Sequence, residues 1–157
     1  MPRSEQIDAY REGPARLRQA WKAVPEEARH HRPEESEWSP HEIVIHVADA
    51  EVNGYVRFRK LVAEPGADIG AYEQDEWAGH LDYLAQDPAA ALNLIELLRG
   101  LTGVLLDGLS DDAWSHVVHH PEQGEWTLDD WLRTYSSHID AHLIQMEEAV
   151  SDWRSTR

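Results

Sequence analysis

Ser39-Pro40-His41-Glu42-Ile43-Val44-Ile45-His46-Val47-Ala48-Asp49-Ala50-Glu51 is the stretch from which the fold can be read. Ser39 is placed to cap a helix, Pro40 to occupy its first turn and Glu42 to close a capping box. From there Ile43, Val47, Ala50, Gly54, Phe58 and Leu61 recur at helical period, and the helix ends before Pro65. His46 lies on the edge of that stripe, with Asp49, Asn53 and Arg57 continuing a polar row along the same flank.

Three further helices follow from the same signals. The first runs roughly over 4–24, with Gly13-Pro14 expected to kink or divide it. Asp87-Pro88 opens another, whose Leu92, Ile95, Leu98, Leu105 and Leu106 form an apolar face closed by Gly108. Thr127 caps the last, with Asp129 and Asp130 in its first turn and a stripe of Leu128, Trp131, Leu132, Tyr135, Ile139, Leu143 and Met146. Ser110-Asp111-Asp112 caps a short extra turn holding Trp114. Residues 65–87 and the run from His116 to Trp126 read as irregular, and no strand pattern competes. The expected fold is all-α, one domain over 1–157. It is a four-helix bundle in which the long 65–87 connection makes a crossover.

Composition narrows the function. Thirty acidic residues against fourteen basic ones give a net charge of −16, and ten protonated histidines would bring that only to −6. Nucleic acid and anionic membrane surfaces repel such a chain, so neither is an expected partner. No apolar run is expected to approach the roughly 20 residues of a membrane span, and no secretory signal opens the chain, so the expected location is cytoplasmic. Cysteine is absent, which removes disulfides, thiolate ligands and a cysteine nucleophile and leaves imidazoles and carboxylates to hold a metal. Seven tryptophans are expected mostly in the core, with one or two free to line a pocket.

His138 and His142, in Tyr135-Ser136-Ser137-His138-Ile139-Asp140-Ala141-His142-Leu143, lie four apart on one face of the last helix, about 5–6 Å apart at Cβ. With His46 they would make a three-imidazole site, leaving a fourth position open as catalytic zinc sites do. An isolated H-x-x-x-H is a weak motif, and a histidine beside an apolar stripe is more often a packed core residue than a ligand. Asp49, Asn53, Tyr135 and Gln145 lie on the flanks that could orient the imidazoles. His116, His119 and His120 form a rival cluster in a loop, whose spacing fixes no geometry.

These blocks together resemble the DinB/YfiT-like superfamily, most closely its YfiT branch. The resemblance rests on Trp38, on His46, Asp49 and Glu51 of an H-x-x-D-x-E/H signature, and on Asn53 followed by Arg57-Phe58-Arg59. It also rests on Y-E-Q-D-E-W at 72–77, on His120, Pro121, Gly124, Thr127 and Leu128, and on His138 with His142. It implies a divalent metal, nickel or zinc, held by His46, His138 and His142, in a crossover four-helix bundle that is frequently a homodimer.

The resemblance also implies a small-molecule substrate and, in the leading reading, transfer of a low-molecular-weight thiol such as bacillithiol or mycothiol to an electrophile. Arg57 would then receive a carboxylate of the thiol, and Trp77 or Tyr72 would cover the electrophile; the plainer readings are a solvated or dimer-contact charge and two loop anchors. The alternatives are hydrolysis by a metal-bound hydroxide with Asp49 or Glu51 as proton acceptor, and a non-catalytic dimeric module fastened by its metal.

Overall fold

A computed structural model describes residues 1–157. In chain order the elements are α1 (Arg3–Ala23), α2 (Pro40–Ala63), α3 (Gln74–His80), α4 (Pro88–Asp107), β1 (Val117–His120), β2 (Gly124–Thr127) and α5 (Leu128–Ser155). The four long helices form the bundle. α1 packs on α4 and α5, α2 packs on the same two, and α1 and α2 sit across a diagonal.

Named pairs set the helix directions. Arg18 meets Glu96 while Arg11 meets Asp107, so α1 and α4 are antiparallel. Glu51 meets Arg99 and Arg59 meets Thr102, so α2 and α4 run parallel. Trp131 donates to the Gly54 carbonyl while His46 lies beside His142, so α2 and α5 are antiparallel. The 64–87 segment must therefore travel the length of the bundle to join two parallel neighbours, the crossover expected from its length.

The expected caps form. Ser39 and Glu42 make a reciprocal capping box at α2, Thr127 and Asp130 make another at α5, and the Asp87 side chain accepts from the Ala89 amide at α4. The interior divides into two apolar clusters. One holds Leu17, Ile43, Val47, Ile95, Ile139 and Met146; the other holds Tyr10, Phe58, Leu61, Trp126, Trp131 and Leu132.

Four sequence expectations need correction. First, α1 is neither divided nor interrupted at Gly13-Pro14. Pro14 has no N–H for the Tyr10 carbonyl one turn back, and Arg99 Nη1 donates to that carbonyl instead, at 2.7 Å. Gly13 makes room for it, since a Cβ there would lie 2.6 Å from Arg99 Nη1.

Second, the run from His116 to Trp126 is not all loop. β1 and β2 form an antiparallel hairpin pairing Val118 with Trp126, and those two point inward. Gly124 supplies the positive φ of its turn at 75°, and His120 Nδ1 accepts from the Glu122 and Gln123 amides. The 66–69 segment lies alongside, with Gly66 and Ile69 amides bonded to Val117 and His119 carbonyls.

Third, residues 65–87 are not wholly irregular, because α3 and a 3₁₀ turn at Tyr83–Ala85 lie within them. Fourth, α4 is 20 residues long and apolar enough, by length and composition alone, to cross a membrane. Its Arg99 is nevertheless buried in an ion pair inside the bundle. An outer stripe of Leu94, Leu97, Leu101 and Val104 is exposed.

Candidate metal centre

α2 and α5 run antiparallel, so a histidine in the first half of α2 meets residues in the middle of α5. His46, His138 and His142 converge there, each offering one ring nitrogen within 4.8 Å of the others. The Nε2 atoms of His138 and His142 are 3.1 Å apart. Tetrahedral zinc with imidazole bonds of about 2.0–2.1 Å separates two ligand nitrogens by roughly 3.3 Å, so the pair is close to that spacing.

Hydrogen bonding fits the same role. Gln145 Oε1 lies 2.9 Å from His142 Nδ1, which places the ring proton on Nδ1 and leaves the Nε2 lone pair free. Both nitrogens of His46 and Nδ1 of His138 are buried without any hydrogen-bond partner. Orphaned buried nitrogens are costly in a packed core and rare without a purpose. The donor set, three imidazoles with no thiolate and no carboxylate, suits zinc, nickel, copper or iron rather than magnesium or calcium.

The protonation states keep all three rings available as ligands. Burial, followed by the nearby His142 and His138 rings, lowers the pKa of His46 to about 2. Burial, then His142 and Arg99, lowers that of His138 to about 3. Burial lowers His142 as well, against a raising contribution from Gln145. All three are neutral at pH 7 and keep lone pairs to offer.

Aromatic rings enclose the histidines. Trp38 lies over His46 with ring centroids 4.3 Å apart and stacks on His142 at 6.3 Å. Tyr135 flanks His138 at 6.3 Å. Gly54 permits that placement, because a Cβ there would lie 2.5 Å from the Tyr135 ring. Tyr72 and Trp77 pair at 4.7 Å on the crossover and, with Asn53 and Arg57, line a cleft of about 190 Å³.

The remaining candidates are placed as follows. Asp49 does not reach His46: it accepts from the Tyr83 hydroxyl at 2.5 Å, and burial raises its pKa despite that bond. Asn53 donates to the Asp49 carbonyl and touches no imidazole. Arg57 donates to the Gly70 carbonyl at 2.7 Å and to the Tyr135 hydroxyl at 3.4 Å, so it is neither freely solvated nor ion-paired.

Glu51 is 1% exposed and bonded to Arg99 at 2.5 Å, facing the opposite side of α2 from the histidines. It is locked in an ion pair and unsuited to take a proton from substrate. His116, His119 and His120 do not converge: His116 bonds the Leu61 carbonyl, His119 is exposed and His120 caps its turn.

Arg99 and Tyr83 went unrecognised as partners of signature residues. Arg99 sits in an apolar helix and Tyr83 in an apparent loop, and neither has a local sequence signal.

The class defined by fold and centre is a crossover four-helix bundle with a three-histidine site between antiparallel helices. The chain belongs to the DinB superfamily, whose pattern it matches over residues 9–146. It is similar to YfiT of Bacillus subtilis strain 168, at 29% identity over 143 residues, covering 90% of this chain and 80% of that one. A protein of Oceanobacillus iheyensis is 29% identical over 118 residues, or 74% of this chain and 68% of that one. Both carry provisional metal-dependent hydrolase names.

The structure superposes on that of Bacillus subtilis YfiT with a TM-score of 0.86 over 94% of this chain and 85% of the other. That protein is described as a probable metal-dependent hydrolase with an unusual four-helix bundle topology. A mycothiol-dependent maleylpyruvate isomerase shares the fold at a TM-score of 0.71 and 18% identity, covering 93% of this chain and 61% of its own.

Proposed function

We propose that the protein is a divalent-metal-dependent enzyme, with nickel or zinc held by His46, His138 and His142, and that it transfers a low-molecular-weight thiol to a small electrophile. The observation carrying this reading is the convergence of three neutral imidazoles with orphaned nitrogens, flanked by the rings of Trp38 and Tyr135. A cation bound there would favour the deprotonated form of a thiol, which a chain lacking cysteine cannot supply from its own side chains. The sulfur forms a bond to the electrophilic carbon, whose leaving group departs with the bonding pair, and the thiol proton passes to solvent. Gln145 orients His142, Trp38 shields the histidines from water, and Tyr72 and Trp77 bound the space for the electrophile.

Among similar proteins, the mycothiol-dependent isomerase supports a thiol co-substrate of the bacillithiol or mycothiol kind. The names of the nearer relatives support hydrolysis as a second reading. Asp49, held by Tyr83 on the His46 flank, is the carboxylate that reading would use. The outer stripe of α4 suits a second copy of the chain, since Leu94, Leu97, Leu101 and Val104 recur at helical spacing with no covering element. A homodimer is therefore part of the proposal.

The test is a paired assay on nickel- and zinc-loaded protein. Conjugation of bacillithiol or mycothiol to monochlorobimane, absent in His46→Ala, is the expected result. Ester or amide hydrolysis that needs no thiol, lost with Asp49→Asn, would replace it with the second reading.

A further inference from the structure

Most arginines that pack into this acidic chain answer a carboxylate. Arg16 meets Asp140, Arg18 meets Glu96, Arg32 meets Glu42 and Arg99 meets Glu51. Arg57 does not. Its two bonds go to the neutral Gly70 carbonyl and Tyr135 hydroxyl, which leaves three of a guanidinium's five N–H donors without a protein acceptor. One of these, on Nε, is buried with no protein partner, a feature it shares with Arg16, Arg29 and Arg99, so the missing carboxylate rather than the Nε sets Arg57 apart from Arg16 and Arg99. In a protein with thirty acidic residues, a part-buried guanidinium left without a carboxylate calls for an explanation.

No carboxylate lines its cleft, and the nearby Asp49 and Glu51 are held by Tyr83 and Arg99. Lys60, one turn further along α2, lines the same cleft with Asn53, Tyr72 and Trp77. Gly70 follows the segment bonded to β1, which brings the guanidinium near His120. Burial, then the positive charge of Arg57, lowers the pKa of that histidine, so it stays neutral and adds no charge that would repel Arg57. His120 Nδ1 accepts two turn amides, so its ring proton is on Nε2. The indole N–H of Trp126, packed on His120 at 5.6 Å, is a further buried donor without an acceptor. Tyr135 connects this end to the metal centre: its hydroxyl accepts from Arg57 and its ring flanks His138.

We infer that Arg57 is the carboxylate receptor of this site, and that the substrate is an anionic small molecule with its carboxylate at Arg57 and its reacting group toward His46, His138 and His142. A planar guanidinium with several free N–H donors suits a carboxylate better than a spherical anion. The inference rests on the proposed metal-dependent reading for the position of the reacting end, and on the cleft alone for the carboxylate end.

The test uses the full chain loaded with cobalt(II), and ω-mercaptocarboxylates of three to six carbons beside their neutral carboxamides. Affinity is read from the sulfur-to-metal charge-transfer band. The expected result is at least a ten-fold preference for one acid over its amide. In Arg57→Gln that preference falls to about two-fold or less, with amide affinity and cobalt content unchanged, while Arg57→Lys keeps part of it. Equal affinities in the unaltered protein, or a preference that survives Arg57→Gln, would overturn the inference. If Arg57→Gln does not fold, the acid-against-amide comparison in the unaltered protein decides alone. If cobalt binds but no thiol produces the band, the thiol reading fails. Calorimetry with hexanoate then decides the carboxylate end: binding lost in Arg57→Gln supports it, and no binding in the unaltered protein overturns it.

Discussion

Gln145 accepts the Nδ1–H of His142 at 2.9 Å, one turn along α5, and so turns the Nε2 lone pair of that imidazole toward His138. The contact assigns Gln145 a role that touches no substrate. Partners of this kind raise ligand basicity and fix the tautomer, and losing one costs metal affinity about 10–100-fold. Gln145→Leu should weaken zinc or nickel binding by that factor in a competition titration with a chromophoric chelator, with the fold intact by circular dichroism. Unchanged affinity would remove Gln145 from the account.

The buried Glu51–Arg99 pair is a structural clamp. Arg99 also donates to the carbonyls of Tyr10 and Tyr135, so it joins α1, α2, α4 and α5 at one point. Removing one partner of such a pair costs about 3–5 kcal/mol, because the other charge is left buried and alone. Glu51→Gln and Arg99→Met should each lower the urea unfolding free energy by roughly that amount. The double variant Glu51→Leu/Arg99→Met should lose less than the two single losses combined. A fully stable Glu51→Gln that has lost activity would instead make Glu51 catalytic.

Two glycines should behave oppositely. A Cβ at Gly54 meets the Tyr135 ring at 2.5 Å, so Gly54→Ala forces Tyr135 aside and should cost about 1–3 kcal/mol while weakening metal binding through His138. A Cβ at Gly100 meets nothing within 4 Å on an exposed face of α4. Gly100→Ala should stabilise the protein by about 0.5–1 kcal/mol. Thermal unfolding of both variants distinguishes a glycine needed for close packing from one that is not.

These contrasts show what was legible in the sequence. The caps at Ser39, Asp87 and Thr127 depend on neighbours within three residues, so they could be read directly, and the helical stripes followed. His46, His138 and His142 were legible as candidates because the periodicity put each on a flank, although only the antiparallel pairing of α2 with α5 brings them together. The hairpin was missed because strands of four residues carry too little alternation to outweigh a histidine-rich, turn-like run. Gly13-Pro14 read as a kink or a division, and the division does not occur because the freed Tyr10 carbonyl is satisfied by Arg99, which lies 89 residues away. Asp49 read as an orienting group for His46 because its true partner, Tyr83, lies 34 residues away in what read as loop.

Acid should destabilise the α2 N-terminus through Glu42. Burial pushes the pKa of this carboxyl up, but Arg32 and the amide and hydroxyl of Ser39 outweigh it and hold the group below its ordinary 4.5. A depressed carboxylate contributes stability that is fully present above the unfolded value and is lost as pH falls through the folded one. Unfolding free energy measured from pH 6 down to pH 3 should therefore fall below about pH 4.5, with a smaller fall in Glu42→Gln. The same acid slope in both proteins would mean that Glu42 is not a significant source of it.

Metal content per chain tests the central claim most directly. The untagged protein, purified without chelator beside His142→Ala and Gln145→Leu, is analysed by inductively coupled plasma mass spectrometry before and after equilibration with zinc and nickel. The account predicts close to one ion per chain in the unaltered protein, none in His142→Ala and reduced retention in Gln145→Leu. An unaltered protein that takes up neither metal, or a His142→Ala protein that holds one as firmly, would contradict it.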